Sequence, residues 1–344
     1  LPFTTTNLDL RDLFKHCGNV MRAEILEQGG RPKGAGIVQF DSYDSARLAV
    51  VDRIIDSVLN ESVKVTPTNG SMSRLSFTLS QFGKRPYIVG HRGASDTYPE
   101  NTIIAFEKAI RDGADAIEFD IQKTLDDKVI ILHDLHLNRT TTGVGKVAKA
   151  NYYGNLEHVT TKQAPHCHLP LFDDVIDMLL KEQNKHVWGV IDVKPGNPLN
   201  IFELLAEILR SRNSDLKVFS KRIMLGIWHP KFLPYARKDL PDIPIVNISE
   251  SLRISREFFS DVDGYNLRGT ILAGKDGQKF VKNAHDTGKP VYVWTINSKL
   301  HAKDCYDLGV DAIMTDKPKY AIEYFQNEMF STNNYWWFSF FRFF

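Results

Sequence analysis

From residue 85 onward, short apolar runs alternate with longer segments whose apolar positions recur every three or four residues. The runs are YIVG (87–90), AIEFD (116–120), VWGVIDV (187–193), RIMLGIW (222–228), IPIVNI (243–248), VDGYNL (262–267), PVYVWTI (290–296) and DAIMTD (311–316). Each has the length of a buried strand. Between them TIIAFEKAIRDG (102–113), LFDDVIDMLLKEQ (171–183), NIFELLAEILRSR (200–212) and DGQKFVKNAHDTG (276–288) read as amphipathic helices, the first and last ending at glycine. Repeated strand-helix units build a parallel sheet, and eight of them predict a closed (β/α)8 TIM barrel of the α/β class over residues 85–328. In such a barrel chemistry sits at the C-terminal ends of the strands.

The first 67 residues follow another rhythm. LPF (1–3) is the stub of a strand, NLDLRDLFKHCG (7–18) an amphipathic helix ending at Gly18, and NVMRAEIL (19–26) and KGAGIVQF (33–40) alternating strands. SYDSARLAVVDRI (42–54) reads as a second helix and SVKVTP (62–67) as a last strand. This order resembles the RNA recognition motif, a small α+β domain, with LPF and KGAGIVQF in the places of its two signatures. In that family aromatics on the sheet stack bases. The resemblance implies RNA contact at Phe3 and Phe40, while Ala35 and Ile37 fill two positions where aromatics are usual. Residues 68–84, rich in Ser, Thr, Asn and Gly, read as a linker.

Composition narrows the classes. Hydrophobic residues make up 42% and charged residues 25%, which suits a chain with an adequate core. A formal net charge of +1 excludes a broad basic field, so any binding to nucleic acid or anionic lipid must be local. Three widely spaced cysteines, with no visible secretory signal, predict a reducing, intracellular setting. The terminal YWWFSFFRFF (335–344) is aromatic at eight of ten positions and reads as the start of a membrane anchor or as an interfacial belt within residues 329–344. Ten residues fall short of the roughly 20 that span a bilayer as a helix.

The strand-end rule selects three pairs: His91 with Arg92, Glu118 with Asp120, and Asp192 with Lys194. Alternation along a strand sends Glu118 and Asp120 to one side, and likewise Asp192 and Lys194. Three converging carboxylates repel one another and call for a cation between them. All-oxygen ligands suit a hard divalent cation, Ca2+ or Mg2+. If the second strand runs on through IQKT, turns at LDDK and returns through VIIL, His133 comes back beside Asp120. Arg92 offers a planar fork and Lys194 a point charge for phosphate oxygens, so the implied substrate is a phosphate ester. Two histidines can then divide the work of general base and general acid.

The stretch HRGASDTYPENTIIAFEKAIRDGADAIEFDIQKTLDDKVIILHDLHLNRTT resembles the signature of the glycerophosphodiester phosphodiesterase family, whose barrel is of the phosphatidylinositol phospholipase C type. The likeness extends through VIDVKP, VYVWTIN and GVDAIMTDKP, over roughly residues 85–320. It implies His91 and His133 as the acid-base pair, Glu118, Asp120 and Asp192 as ligands of the divalent cation, and Arg92 and Lys194 at the phosphate. It also implies that Glu100 and Asn101 support the first loop and that Trp294 walls the pocket. Many family members have Glu where this chain has Asp192, so the carboxylate is drawn back by one methylene.

Within that family, IDVK, the segment RIMLGIWHPKFLPYARKDLPDIPIVNISESLRISREFF and the aromatic terminus look most like the fungal phosphatidylglycerol phospholipase C branch. That likeness implies cleavage of phosphatidylglycerol to diacylglycerol and glycerol 3-phosphate, with the protein at the cytoplasmic face of a membrane or on a lipid droplet. The alternative substrate is a soluble glycerophosphodiester such as glycerophosphocholine. A reading of another class makes the chain an RNA-binding protein through its N-terminal module.

Overall fold

A computed structural model describes residues 6–15, 19–28, 31–40, 85–258, 261–329 and 338–339. The chain divides into two units, residues 1–70 with 325–344, and residues 71–324.

In the first unit, helix α1 (Asn7–Phe14) begins at Thr6, whose hydroxyl accepts from Asp9 N while the Asp9 carboxylate accepts from Thr6 N at 2.8 Å. This reciprocal cap satisfies two donors that the first helical turn leaves open. Strands β1 (Val20–Gln28) and β2 (Arg31–Phe40) pair antiparallel, with Val20 opposite Phe40 and Gln28 opposite Arg31. Helix and two strands follow the sequence pattern over residues 7–40. The expected helix at 42–54, the strand at 62–67, the linker and Phe3 lie outside the described residues, and Phe40 ends β2. Of the aromatic terminus, Phe338 and Ser339 pair antiparallel with Val38 and Ile37 of β2. Among the described residues no helix is long and apolar enough to cross a membrane.

The second unit is a closed barrel. Its strands are β3 (Tyr87–His91), β4 (Ala116–Lys123), β6 (Trp188–Val193), β7 (Ile223–Ile227), β8 (Ile245–Ser249), β9 (Gly264–Arg268), β10 (Val291–Trp294) and β11 (Ala312–Thr315). Each pairs parallel with the next, and β11 returns to β3 with Met314 opposite Val89. The short β5 (Val129–Ile131) lies antiparallel on β4, with Ile131 opposite Ile121. Helices α2 (Ile103–Arg111), α3 (Phe172–Leu180), α4 (Ile201–Arg210), α5 (Leu233–Asp239), α6 (Leu252–Glu257), α7 (Lys275–Asp286), α8 (Lys299–Leu308) and α9 (Pro318–Glu323) alternate with the strands.

The two-residue period of the strands decides what faces where. Val89, Ala116, Val190, Met224, Val246, Tyr292 and Ala312 form one buried cluster, while alternate residues such as Phe119 meet the helices. Phe119 lies 5.9 Å, ring to ring, from Phe106 of α2 and 6.2 Å from Phe172 of α3. Burying each such ring stabilises the fold by about 1.5–3 kcal/mol.

Two residues beyond the cluster, on the same side of each strand, come His91, Glu118, Asp192, Ile248 and Trp294. The apolar layer is thus the floor on which the polar residues stand.

Candidate active site

The loop after β3 is tightly determined. Gly93 has φ of +85°, and a Cβ there would stand 2.6 Å from the carbonyl carbon of Ala105, so only glycine fits. Arg92 (φ 57°) and Asn101 (φ 60°) also adopt the left-handed region, and Asn101 N donates to Arg92 O at 3.0 Å. Non-glycine residues are rare there and costly, so the surrounding contacts must hold them. One such contact reaches the acidic cluster: Asn101 Nδ2 donates to Asp120 Oδ2 at 2.7 Å.

Glu118, Asp120 and Asp192 are buried at 3%, 0% and 5% exposure, with candidate ligand oxygens within 4.8 Å of one another. Such desolvated carboxylates need compensating charge. Lys194 Nζ stands 2.7 Å from Asp120 Oδ1 and 2.6 Å from Asp192 Oδ2. Arg92 Nε lies 3.3 Å from Asp120 Oδ2, and Trp228 Nε1 donates to Asp192 Oδ1 at 2.8 Å.

The three respond differently. Burial opposes the charge on Asp120, yet Lys194 and Arg92 outweigh it and hold the carboxyl far below its usual range. Burial, then the Asp120 charge, push Glu118 up to about 8. Asp192 is also raised, chiefly by burial. A cluster of buried oxygens whose full ionisation is opposed by mutual repulsion fits a hard divalent cation, and these three side chains would hold it. Among the described residues no other group of three or more potential ligands meets the same spacing.

Each histidine has its own carboxylate. His91 Nδ1 lies 2.7 Å from Asp316 Oδ1, and Asp316 also accepts from Asn297 Nδ2 at 2.6 Å and Ser95 Oγ at 3.1 Å. That leaves His91 Nε2 facing the site, 4.0 Å from Glu118 Oε2. Burial works against protonation of His91, but the Asp316 hydrogen bond and the Glu118 charge prevail, and its pKa is raised.

His133 returns beside β4 as the hairpin requires, with Leu132 N donating to Asp120 O at 3.0 Å. Its Nδ1 lies 2.6 Å from Asp134 Oδ1. Arg139 grips Asp134 through Nε at 2.6 Å and Glu100 through both terminal nitrogens at 2.9 and 2.8 Å. Glu100 in turn accepts from Arg92 Nη1 at 3.0 Å. An unbroken chain of charge-assisted hydrogen bonds therefore joins His133 to Arg92.

These groups open into a cavity of about 160 Å3 lined by His91, Arg92, His133, Lys194, Trp228 and Trp294, among others. Trp228 and Trp294 meet edge to face at 5.8 Å, and Trp294 Nε1 donates to Asn266 O at 3.2 Å. Residues 91–320 match the glycerophosphoryl diester phosphodiesterase family across this whole constellation.

The chain belongs to that family. Phosphoric diester hydrolysis is accordingly its reaction class. A glycerophosphodiester phosphodiesterase of Bacillus altitudinis is 27% identical over 245 residues, covering 69% of this chain and 96% of its own. The lysophospholipase D GDPD1 of Mus musculus is 26% identical over 290 residues, covering 70% and 86%. The solved structure of an Oleispira antarctica phosphodiesterase with the product sn-glycerol-3-phosphate shares the fold, with a TM-score of 0.59, 20% identity, and 70% and 97% of the two chains covered. Residues 1–53 match the RNA recognition motif.

The structure brings the expected family positions His91, Arg92, Glu118, Asp120, His133, Asp192, Lys194 and Trp294 to one barrel mouth, with Glu100 and Asn101 behind them. Asp316, Asp134, Arg139 and Trp228 were not expected there. Asp316 and Trp228 close the eighth and fourth apolar runs, so the rule that found His91 covers them too. Asp134 follows His133 directly, whereas Arg139 is brought in by a loop and has no sequence signal.

Proposed function

We propose that the barrel hydrolyses a glycerophosphodiester with one divalent cation, Mg2+ or Ca2+, held by Glu118, Asp120 and Asp192. The observation that carries this reading is the pair of histidine-carboxylate couples, His91 with Asp316 and His133 with Asp134, flanking the buried acidic triad. When bound, the cation supplies positive charge to the phosphoryl oxygens. Arg92 and Lys194 line the same cavity and add positive charge to those oxygens, the kind of contribution worth about 3–4 kcal/mol per donor in oxyanion sites.

One histidine takes the proton of a glycerol hydroxyl, which attacks the adjacent phosphorus. The other protonates the departing oxygen. A cyclic phosphate forms, and water opens it as the two histidines exchange roles. Asp316 and Asp134 fix the ring orientations and support the charge that each imidazole carries in turn.

A free hydroxyl next to the phosphate is present in soluble glycerophosphodiesters and in the phosphatidylglycerol headgroup. The names of the bacterial relatives favour the soluble diester; likeness to the fungal lipid-cleaving branch and the aromatic terminus favour the lipid. The cavity is small beside the roughly 300–1,000 Å3 of sites that enclose drug-sized ligands, so it suits a headgroup with any acyl chains left outside. Offering glycerophosphocholine and phosphatidylglycerol vesicles side by side, with cation and with chelator, separates the two by which one releases glycerol phosphate. The RNA recognition motif supports a second reading, RNA binding by the N-terminal unit, for which salt-sensitive affinity for single-stranded RNA is the test.

A further inference from the structure

Most of the groups assigned so far stand at the ends of β3, β4, β6 and β7, with Asp316 after β11 backing His91 and Trp294 at the end of β10. The other side, at the ends of β8 to β11, presents Ile248, Glu250, Asn266, Trp294 and Met314 to the same cavity. Within this mostly apolar wall Asn266 is only 2% exposed, and its Oδ1 is buried without a hydrogen-bond partner. Buried amides are almost always paired, so an unpaired one in a cavity wall points to a partner that arrives with the ligand.

Asn247 on the neighbouring strand makes the contrast. Its Oδ1 is also unpaired, but its Nδ2 donates to two backbone carbonyls, at 3.3 and 3.2 Å, and it does not line the cavity. Asn266 is held by the parallel ladder, opposite Tyr292, and by the Trp294 indole on its carbonyl oxygen. The strand that carries the side chain into the wall is therefore fixed in advance.

Charge decides which end of a substrate reaches it. The anionic phosphate belongs with Arg92 and Lys194, because Glu250 on the opposite wall would repel it. Glu250 is itself engaged by Arg268 at 3.3 Å, which weakens any pull on a cationic arm. A quaternary ammonium would also leave Asn266 unpaired, since it neither donates nor accepts a hydrogen bond. A hydroxyl does both.

We infer that Asn266 is a specificity-determining residue that hydrogen-bonds a hydroxyl of the glycerol arm, on the side of the cavity away from the phosphate. This rests on the proposed phosphodiesterase reading and names the part of the substrate that the wall recognises.

The test is binding of three ligands to the cation-loaded full chain by titration calorimetry: glycerol 3-phosphate, phosphocholine and inorganic phosphate. In the wild type glycerol 3-phosphate should bind more tightly than the other two. N266A should weaken glycerol 3-phosphate about tenfold and leave the others within about twofold, the scale expected for one lost hydrogen bond. N266S, which keeps a small hydrogen-bonding group, should fall between, and guards against misfolding of N266A. Equal weakening of all three ligands, no weakening of any, or no wild-type preference for glycerol 3-phosphate would each overturn the assignment. Turnover of glycerophosphocholine is measured in parallel. A wild type that binds glycerol 3-phosphate through Asn266 but hydrolyses no glycerophosphodiester would sink the proposed reaction while leaving the subsite standing.

Discussion

Nδ1 of His91 lies 2.7 Å from Oδ1 of Asp316, although 225 positions separate the two residues. The barrel closes β11 onto β3, and this closure places the last strand's carboxylate behind the first strand's histidine. Asp316 selects which ring nitrogen faces the cavity. Asp316→Asn keeps the shape but no longer offers a carboxylate for the developing imidazolium. We expect kcat to fall about 100-fold, within the usual range for general acid-base groups, with KM little changed and a modest loss of melting temperature, because the amide nitrogen must face a donor where Asp316 accepts on both oxygens. Steady-state kinetics with parallel thermal melts checks this; unaltered kcat would remove Asp316 from the machinery.

Trp228 holds Asp192 Oδ1 while Lys194 holds Oδ2, so the short carboxylate is aimed from both sides. Trp228→Phe keeps the ring and loses the donor. Affinity for Mg2+ or Ca2+ should drop about 10- to 100-fold, the range found when partners of metal ligands are removed. Calorimetry without substrate reads this independently of turnover.

Glu118, pushed up to about 8 by burial and the Asp120 charge, holds a proton far more readily than an ordinary carboxyl while no cation is bound. Cation binding requires the carboxylate and must expel that proton. Calorimetry at pH 7 in buffers of different ionisation heat should show release of about one proton, diminishing as the pH rises past about 8. Glu118→Gln should abolish the release; proton-neutral binding by the wild type at pH 7 would contradict the coupling.

Asp134 is lowered to about 2, first by the Arg139 hydrogen bond and then, against burial, by His133. A carboxylate with a depressed folded pKa stabilises the protein above its unfolded pKa and loses that contribution as the pH falls through the folded value. The window is therefore about pH 4 to 2. Allowing for solvent screening, Asp134→Asn should cost on the order of 1 kcal/mol at neutral pH and progressively less toward pH 2. Denaturation midpoints across that range give the comparison.

Much of the barrel and its site was legible because strand periodicity is local. Val89 and His91, or Val190 and Asp192, are two positions apart, so an apolar floor and a polar rim can be read from one run. The return of His133 was legible too, since equal arms around LDDK fix the hairpin register. Arg139 was not, because a loop brings it to Glu100 across 39 positions with no periodic pattern to mark it. The unpaired amide of Asn266 was hidden for another reason: VDGYNL reads as a buried strand whether or not its asparagine finds a partner. In the N-terminal unit, α1, β1 and β2 follow the pattern, while Phe3 lies outside the described residues.

The most direct test of the central claim is the release of glycerol phosphate from glycerophosphocholine and from phosphatidylglycerol vesicles by wild type and by His133→Ala, each with Mg2+ or Ca2+ and with chelator. The account predicts cation-dependent release from at least one substrate by wild type, abolished by chelator and reduced at least about 100-fold in the folded variant. Turnover that survives chelation, or a His133→Ala protein that matches wild type, would contradict it.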